Sequence, residues 1–313
     1  MTPVETVIAQ DDMFSIRRAL LWGAQLLSDA GIENHRLDAE VLLRHVLKME
    51  KEELYVNGDA PISAGQEAKF RELLLRRSRR EPAAYVTGHK EFWSLGFLVS
   101  PAVLIPRPET ELLVEVALHY VGQFASGSPV KVFDIGTGSG IISVCLAKDH
   151  TALQIIAVDI SPVALDIARL NAQRHGVADR MRFLPGDLFA PVKLLPETFD
   201  LIVSNPPYIR TGELLMLAPE IREWEPPLAL DGGADGIDTY RRIIEEGHKY
   251  LAPGGSMVLE IGADMASAVA DLFSRCGYYG PACVHQDYAG KDRVIAAMKL
   301  LRSAAAPKSV NHG

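Results

Sequence analysis

Apolar residues recur at helical spacing through the first eighty positions. Ile16, Leu20, Ala24 and Leu27 share one face of a stretch over 13–30, which Asp11 and Asp12 precede and Gly31 ends. A second amphipathic stretch covers 37–47. Ser63 and Gln66 stand at capping-box spacing and predict a third helix running to about residue 80. Helices without intervening strands predict a small bundle. The pattern then changes: Tyr85–Gly88 and 92–99 read as short strands around a turn, a hairpin linking two domains.

From Thr110 onward, apolar runs of strand length alternate with helical ones. Helix 111–121 leads to strand 130–135, helix 141–148, strand 153–159, helix 162–175, strand 181–184 and strand 199–204. This alternation predicts an α/β fold with a parallel, doubly wound sheet. Residues 209–236 are rich in Pro and Gly and lack a period, as functional loops of that length do. Helix 237–251, a Pro253-Gly254-Gly255 turn and strand 256–261 resume the order. Segments 282–285 and 293–298 read as an antiparallel edge hairpin, and 303–313 as a disordered tail.

Length and composition narrow the class. At about 150 residues per domain, 313 residues predict two domains. Lys and Arg number 32 against 40 Asp and Glu, a net charge of −8, which argues against stable binding along nucleic acid by phosphate neutralisation. Three cysteines without C-x-x-C spacing fit neither a disulfide framework nor a zinc site, so no metal is expected. The apolar stretch 139–148 falls short of the ~18 residues a membrane span needs. The acidic start, residues 1–12, lacks a basic segment before an apolar block, so a cytoplasmic protein is expected.

The chemistry begins at the carboxyl end of strand 130–135. Asp134-Ile135-Gly136-Thr137-Gly138-Ser139-Gly140 lets the backbone turn tightly and opens main-chain N–H groups to a ligand at a helix N-terminus. A dinucleotide fingerprint starting at Gly136 would need Gly or Ala where Ile141 stands. With Asp two residues before the first glycine, the loop resembles the S-adenosylmethionine loop of class I methyltransferases; a ligand-free βα turn is the bland alternative. Asp159 ends the next strand, where a carboxylate accepts from both ribose hydroxyls or caps a helix. Asp187 and Leu188 occupy the third βα loop; the same resemblance assigns them to the adenine amino group and the adenine pocket.

Asn205-Pro206-Pro207-Tyr208 follows the fourth strand of the alternation. Two prolines fix the backbone, Asn offers a carbonyl acceptor and Tyr a flat face. A carboxamide nitrogen is a poor nucleophile because its lone pair is delocalised. Two acceptors, the Asn205 side-chain oxygen and the Pro206 carbonyl, would bind its two N–H groups and stabilise the positive charge that develops as it attacks a methyl group. Tyr208 would pack on the planar amide. The bland reading of the tetrapeptide is a rigid turn.

Together these motifs resemble the HemK/PrmC family of protein-(glutamine-N5) methyltransferases over nearly the whole chain. The resemblance rests on Tyr85–Gly88 before Phe92, Pro106-Arg107-Pro108-Glu109-Thr110-Glu111, Asn205–Ile209, Glu225–Gly233 and Gly290-Lys291-Asp292-Arg293. It implies a class I (Rossmann-like) methyltransferase domain at 109–301, an N-terminal helical substrate-recognition domain at 1–81, a hairpin linker at 82–108 and a tail at 302–313. It also implies S-adenosylmethionine as cofactor and the glutamine of the Gly-Gly-Gln motif of peptide chain release factors as target, with the chain a monomer. Asn-Pro-Pro-Tyr is shared with DNA-adenine methyltransferases, so adenine-N6 methylation and glutamine methylation of a ribosomal protein are alternatives; a non-catalytic nucleotide-binding scaffold is another. Leu188 departs from relatives with an aromatic there. Arg76, Arg77, Arg79 and Arg80 read as a solvated helix C-terminus, with a docking surface as the alternative. Arg107, Glu109 and Glu111 are left between orienting the cofactor or linker and capping the next helix.

Overall fold

A computed structural model of the chain describes residues 14–124, 129–195 and 198–301. The chain divides into two compact units, Met1–Gly88 and His89–Gly313. The acidic residues before Met13 and the tail after 301, both read from sequence, lie outside the described residues.

The first unit holds α1 (Ile16–Asp29), α2 (His35–Leu47), α3 (Lys51–Val56), α4 (Ala64–Ser78) and α5 (Ala83–Thr87). Ser15 caps α1 by accepting from the Arg18 N–H. The Ser63–Gln66 capping box opens α4 as expected, and a second box, Glu50–Glu53, opens the short α3, which sequence patterning missed. Ala19, Leu27, Leu42, Leu43, Phe70 and Leu74 form the core of this unit. Tyr85–Gly88 is not a strand. Pro82 starts a single helical turn there, the Thr87 hydroxyl donates to the Ala83 carbonyl at 3.0 Å, and Gly88 closes the turn at φ +74°. Val86 enters the N-terminal core, so burial overrides the β preference of its neighbours. Of the arginine cluster only Arg79 is exposed at the helix end; the other three have partners. Arg77 is buried against Asp38 at 2.7 Å, Arg76 pairs with Glu81, and Arg80 donates to the Ala30 carbonyl.

The second unit opens with the hairpin β1 (His89–Phe92) and β2 (Leu95–Leu98), whose turn residues Trp93 and Ser94 both have φ +54°. The Glu111 carboxylate accepts from the Trp93 N–H at 2.8 Å and holds that strained turn. There follow α6 (Thr110–Val121), β3 (Val130–Ile135), α7 (Ile141–Asp149), β4 (Leu153–Asp159), α8 (Pro162–Arg174), β5 (Met181–Pro185), β6 (Phe199–Ser204), α9 (Pro219–Arg222), α10 (Asp238–Gly247), β7 (Leu251–Glu260), α11 (Ala266–Cys276), β8 (Cys283–Gln286) and β9 (Asp292–Met298). Seven strands form one sheet in the order β5-β4-β3-β6-β7-β9-β8. The first five are parallel; β9 runs antiparallel to β7 and β8 antiparallel to β9, so the expected hairpin supplies the last two strands. Strand period 2 sends Val130, Val132, Leu201, Val203 and Val258 to a core shared with α6 and α7. Phe133, Ile135, Ile202, Met257 and Leu259 go to a second core shared with α10 and α11. Helix α11 was not anticipated.

Four hydrogen bonds brace the sheet's carboxyl edge. The Ser204 hydroxyl donates to the Ile135 carbonyl at 2.7 Å, fixing the exits of β3 and β6 side by side. The Asn171 amide donates to the Ser139 carbonyl at 2.8 Å and to the Leu98 carbonyl at 3.0 Å, and accepts from the Leu98 N–H at 2.7 Å. Residue 171 is fully buried, so these bonds tie α8 to the glycine loop and to the hairpin without competition from water.

Candidate active site

Where β3 meets β6, the sheet order reverses, and the loops at the strands' carboxyl ends enclose a cavity of about 440 Å³. Gly136, Thr137, Gly138 and Ser139 form one wall, Asp159 and Ile160 another, and Asp187 and Leu188 a third. Asn205, Pro206 and Pro207 line the same space.

Gly136 and Gly138 have φ of +71° and +56°, and a Cβ on either would meet nothing within 4 Å. Conformation demands glycine there, and the bare backbone faces open space. Gly140 is glycine for a further reason: at φ +81°, a Cβ would sit 3.0 Å from Ala168 Cβ, so its absence lets α7 and α8 approach. Asp159 fixes the loop from the next strand, accepting from the Gly138 N–H at 2.8 Å and the Ser161 N–H at 2.9 Å. It is not the cap of α8; Ser161 is. Burial raises its carboxyl pKa, and the two backbone donors oppose that rise.

Asp134 stands apart from the sequence expectation. It is fully buried, absent from the cavity wall, and bonded to the Thr137 hydroxyl at 2.7 Å and the Ser143 hydroxyl at 2.6 Å. It therefore shapes the loop from behind instead of touching what the loop holds. Gly140 too lies off the wall. Asp187 is on the wall but carries a partner that the sequence did not suggest, the guanidinium of Arg242 from α10. Leu188 sits at φ +46°, an uncommon conformation for leucine.

Asn205 follows β6 directly, and its Nδ2 donates to the Thr110 hydroxyl at 3.3 Å. That bond commits the amino end of the amide to the wall. Behind it lies Glu260, the last residue of β7, 2% exposed, with an Oε2 that has no hydrogen-bond partner among the described residues. Burial pushes its carboxyl up to about 7, opposed by hydrogen bonding from Thr110 and Asn205 and by the charge of Arg293. Tyr208 does not line this cavity. Its ring borders an adjacent space of about 390 Å³ with Arg210, Met216, Leu217, Met265 and Arg293. Burial holds its hydroxyl above the ordinary tyrosine range, so it stays neutral.

Residues 209–236 close over this region as short 3₁₀ and α turns, tied by Ile209 pairing with Asp231. Glu225, 3% exposed, accepts from the Arg107 guanidinium and from the Ile105 N–H at 3.2 Å. Arg107 thus fastens the segment before α6 to the loop. Glu109 faces Arg293 at 3.8 Å.

Comparison with known proteins decides the family. Residues 18–88 match the PrmC N-terminal domain and residues 110–220 the Methyltransferase small domain. A release factor glutamine methyltransferase from Geobacter sulfurreducens is 45% identical over 284 residues, covering 91% of this chain and 96% of that protein. The chain belongs to the release factor glutamine methyltransferase family. Its relative of the same name in Moorella thermoacetica is 41% identical over 285 residues, covering 91% of this chain and 99% of that protein. Among solved structures, the hMettl16 catalytic domain shares the fold at 14% identity and a TM-score of 0.53, over 77% of this chain and 83% of that one.

For this methyltransferase, sequence motifs found the residues whose backbones the cavity uses and missed those that work through another side chain: Thr110, Glu225, Arg242 and Glu260. Glu260 carried one readable signal, a carboxylate ending an apolar strand. Thr110 and Glu225 stand in segments that carry the family resemblance but show no role there, and Arg242 carried no signal, because their partners lie 55 to 118 residues away. Among the described residues, no helix is long and apolar enough to cross a membrane, and no group of three or more His, Cys, Asp or Glu could hold a metal.

Proposed function

We propose that this chain acts in the cytoplasm and transfers a methyl group from S-adenosylmethionine to the side-chain amide nitrogen of the glutamine in the Gly-Gly-Gln motif of peptide chain release factors. The observation that carries the reading is that Asn205 and Pro206 line the same cavity as the left-handed glycines of the β3–α7 loop.

The residues present fit the cofactor. Cβ-free glycines bare main-chain N–H groups for an amino acid moiety, Asp159 supplies acceptors for a ribose diol, and Leu188 and Ile160 give apolar surface for a base, with Asp187 beside them. When bound, S-adenosylmethionine supplies an electrophilic methyl group on a sulfonium. The chain's own residues prepare the amide. The Asn205 oxygen and the Pro206 carbonyl accept its two N–H groups, and two consecutive prolines hold those acceptors in place before the substrate arrives. Positive charge that develops on the nitrogen meets preorganised oxygens in a cavity closed largely by apolar side chains. A small residue beside the target suits such a narrow slot. Tyr208, neutral and outside the cavity, is assigned to packing along the entering peptide; this revises the expectation that it stacks on the amide in the cavity itself.

Purified protein with methyl-labelled cofactor is expected to label a release factor on one residue, the motif glutamine, adding one methyl mass by mass spectrometry. Gln→Ala in that motif should abolish the label; persistent labelling would refute the assignment. Asn205→Ala is expected to lower turnover about 100-fold while cofactor affinity, measured by calorimetry, stays within about twofold.

A further inference from the structure

We infer that Thr110 and Glu260 are positioning residues for methyl transfer: they hold the amino end of the Asn205 amide against the wall and so turn its oxygen toward the cavity. This rests on the role given to Asn205 above and adds two residues from distant parts of the chain.

An asparagine amide is nearly symmetric in shape, so packing alone does not decide which end faces the substrate; hydrogen-bond partners do. Asn205 Nδ2 donates to Thr110 Oγ1, and Thr110 in turn faces the Glu260 carboxyl with its own hydroxyl proton. The donors therefore run from amide to hydroxyl to carboxylate, and the amide N–H₂ also donates to the carboxylate directly. Thr110 has only one proton to give. If the amide were reversed, that proton would go to the Asn205 oxygen, leaving a buried carboxylate short of a donor and an amide N–H₂ pointing at the N–H₂ of the incoming glutamine. An ionised Glu260 thus selects the productive orientation. A protonated Glu260 does the opposite. Its own proton goes to Thr110 Oγ1, Thr110 donates to Asn205, and the amide turns over.

The groups that face Glu260 are Thr110 of α6 and Glu109 just before it, Asn205 and Tyr208 after β6, Arg293 from β9, and Tyr240 of α10, whose hydroxyl donates to the Glu260 main-chain carbonyl at 2.7 Å. Glu109 opposes ionisation of the carboxyl and Arg293 favours it. Oε2 has no hydrogen-bond partner among the described residues, so the proton that reaches Thr110 sits on Oε1, and burial pushes the carboxyl up to about 7.

The test pairs kinetics with a readout that needs neither substrate nor cofactor. In protein labelled with ¹⁵N and ¹³C, the Asn205 side-chain N–H₂ resonances are expected to shift with pH at the same midpoint as the Glu260 carboxyl carbon, and to stop following it in Thr110→Val. Wild-type kcat is expected to rise about tenfold with pH through that midpoint. Glu260→Met, which accepts no proton from Thr110 at any pH, should lower kcat about 10- to 100-fold and flatten that limb, with cofactor affinity close to wild type. Thr110→Val should lose about tenfold, whereas Thr110→Ser, which keeps the hydroxyl, should recover to within about threefold of wild type. A residue that merely fills space would make Thr110→Ser as poor as Thr110→Val. Asn205 resonances that ignore the Glu260 titration, or a Glu260→Met enzyme with wild-type kcat and pH profile, would overturn the proposal. Coupled resonances in a protein that never methylates a release factor would leave the pairing standing and overturn the functional reading instead.

Discussion

Asp134, one residue before the end of β3, has one carboxylate oxygen bonded to two hydroxyls and the other, Oδ1, without a partner among the described residues in a fully buried position. Burial raises its carboxyl to about 6, with the Ser143 and Thr137 hydroxyls opposing and the Asp159 charge adding to the rise. The sign of the consequence follows from proton counting. Between the ordinary aspartate value of 3.8 and about 6, the folded protein binds the proton that the unfolded chain has released, so stability falls as pH rises through that window. The span of about two units corresponds to about 3 kcal/mol. Asp134→Asn cannot titrate. Its absolute stability includes the cost of an unpartnered amide N–H, but that cost does not change with pH. Urea unfolding is therefore expected to show the variant gaining on wild type by up to about 3 kcal/mol from pH 4 to 7. A difference between the two proteins that stays constant over this range would mean that Asp134 is solvated or ionised throughout.

At the scale of elements, much of the architecture was legible because local rules and burial agree. Every strand from β3 to β6 is an apolar run between turn signals, and the Ser63–Gln66 box marked its helix start. What failed was decided by distant contacts. Tyr85–Gly88 has strand-like residues but becomes a helical turn because Val86 is drawn into the N-terminal core. Arg76 and Arg77 look like a solvated helix end until Glu81 and Asp38 arrive beside them. Of the candidate site, the glycine loop and Asn205-Pro206-Pro207 were readable because their backbone shape is written in their own residue types. Arg107 was left undecided because its partner Glu225 lies in a loop with no period. That pair yields an element-scale expectation. Glu225→Gln keeps the volume but removes the charge facing Arg107, and a charged hydrogen bond of this kind contributes about 1.5–3 kcal/mol. Partial exposure of Arg107 places the loss toward the lower figure. Hydrogen exchange should accelerate in residues 209–236 and around Ile105, with the sheet strands unchanged. Uniform acceleration across β3, β4 and β6 would show that the pair holds the whole unit and not the loop.

For the whole molecule, the informative fact is how the cavity's residues are distributed along the chain. Those that line it fall between Ala102 and Arg242, wholly within the second compact unit, and the residues behind it, Asp134, Asn171 and Glu260, belong to that unit as well. The first unit has its own apolar core and its own capped helices. Cofactor binding and substrate choice are therefore separable in principle: a slot for one amide says little about which protein presents it, and we propose, from the family resemblance of the sequence, that the N-terminal helices recognise the release factor. A chain beginning at His89 keeps both sheet cores intact, because Phe92 and Phe97 of the hairpin pack into the core shared with α6 and α7. That fragment is expected to bind S-adenosylmethionine within about threefold of the full chain in calorimetry. Its kcat/KM for intact release factor should fall by about 100-fold or more, the loss being larger for intact factor than for a short peptide carrying the Gly-Gly-Gln motif, since the peptide has less surface for the missing unit to grip. Equal losses for peptide and intact factor would place the N-terminal unit's contribution in the slot itself. An unimpaired fragment would leave recognition entirely to the cavity rim and residues 209–236.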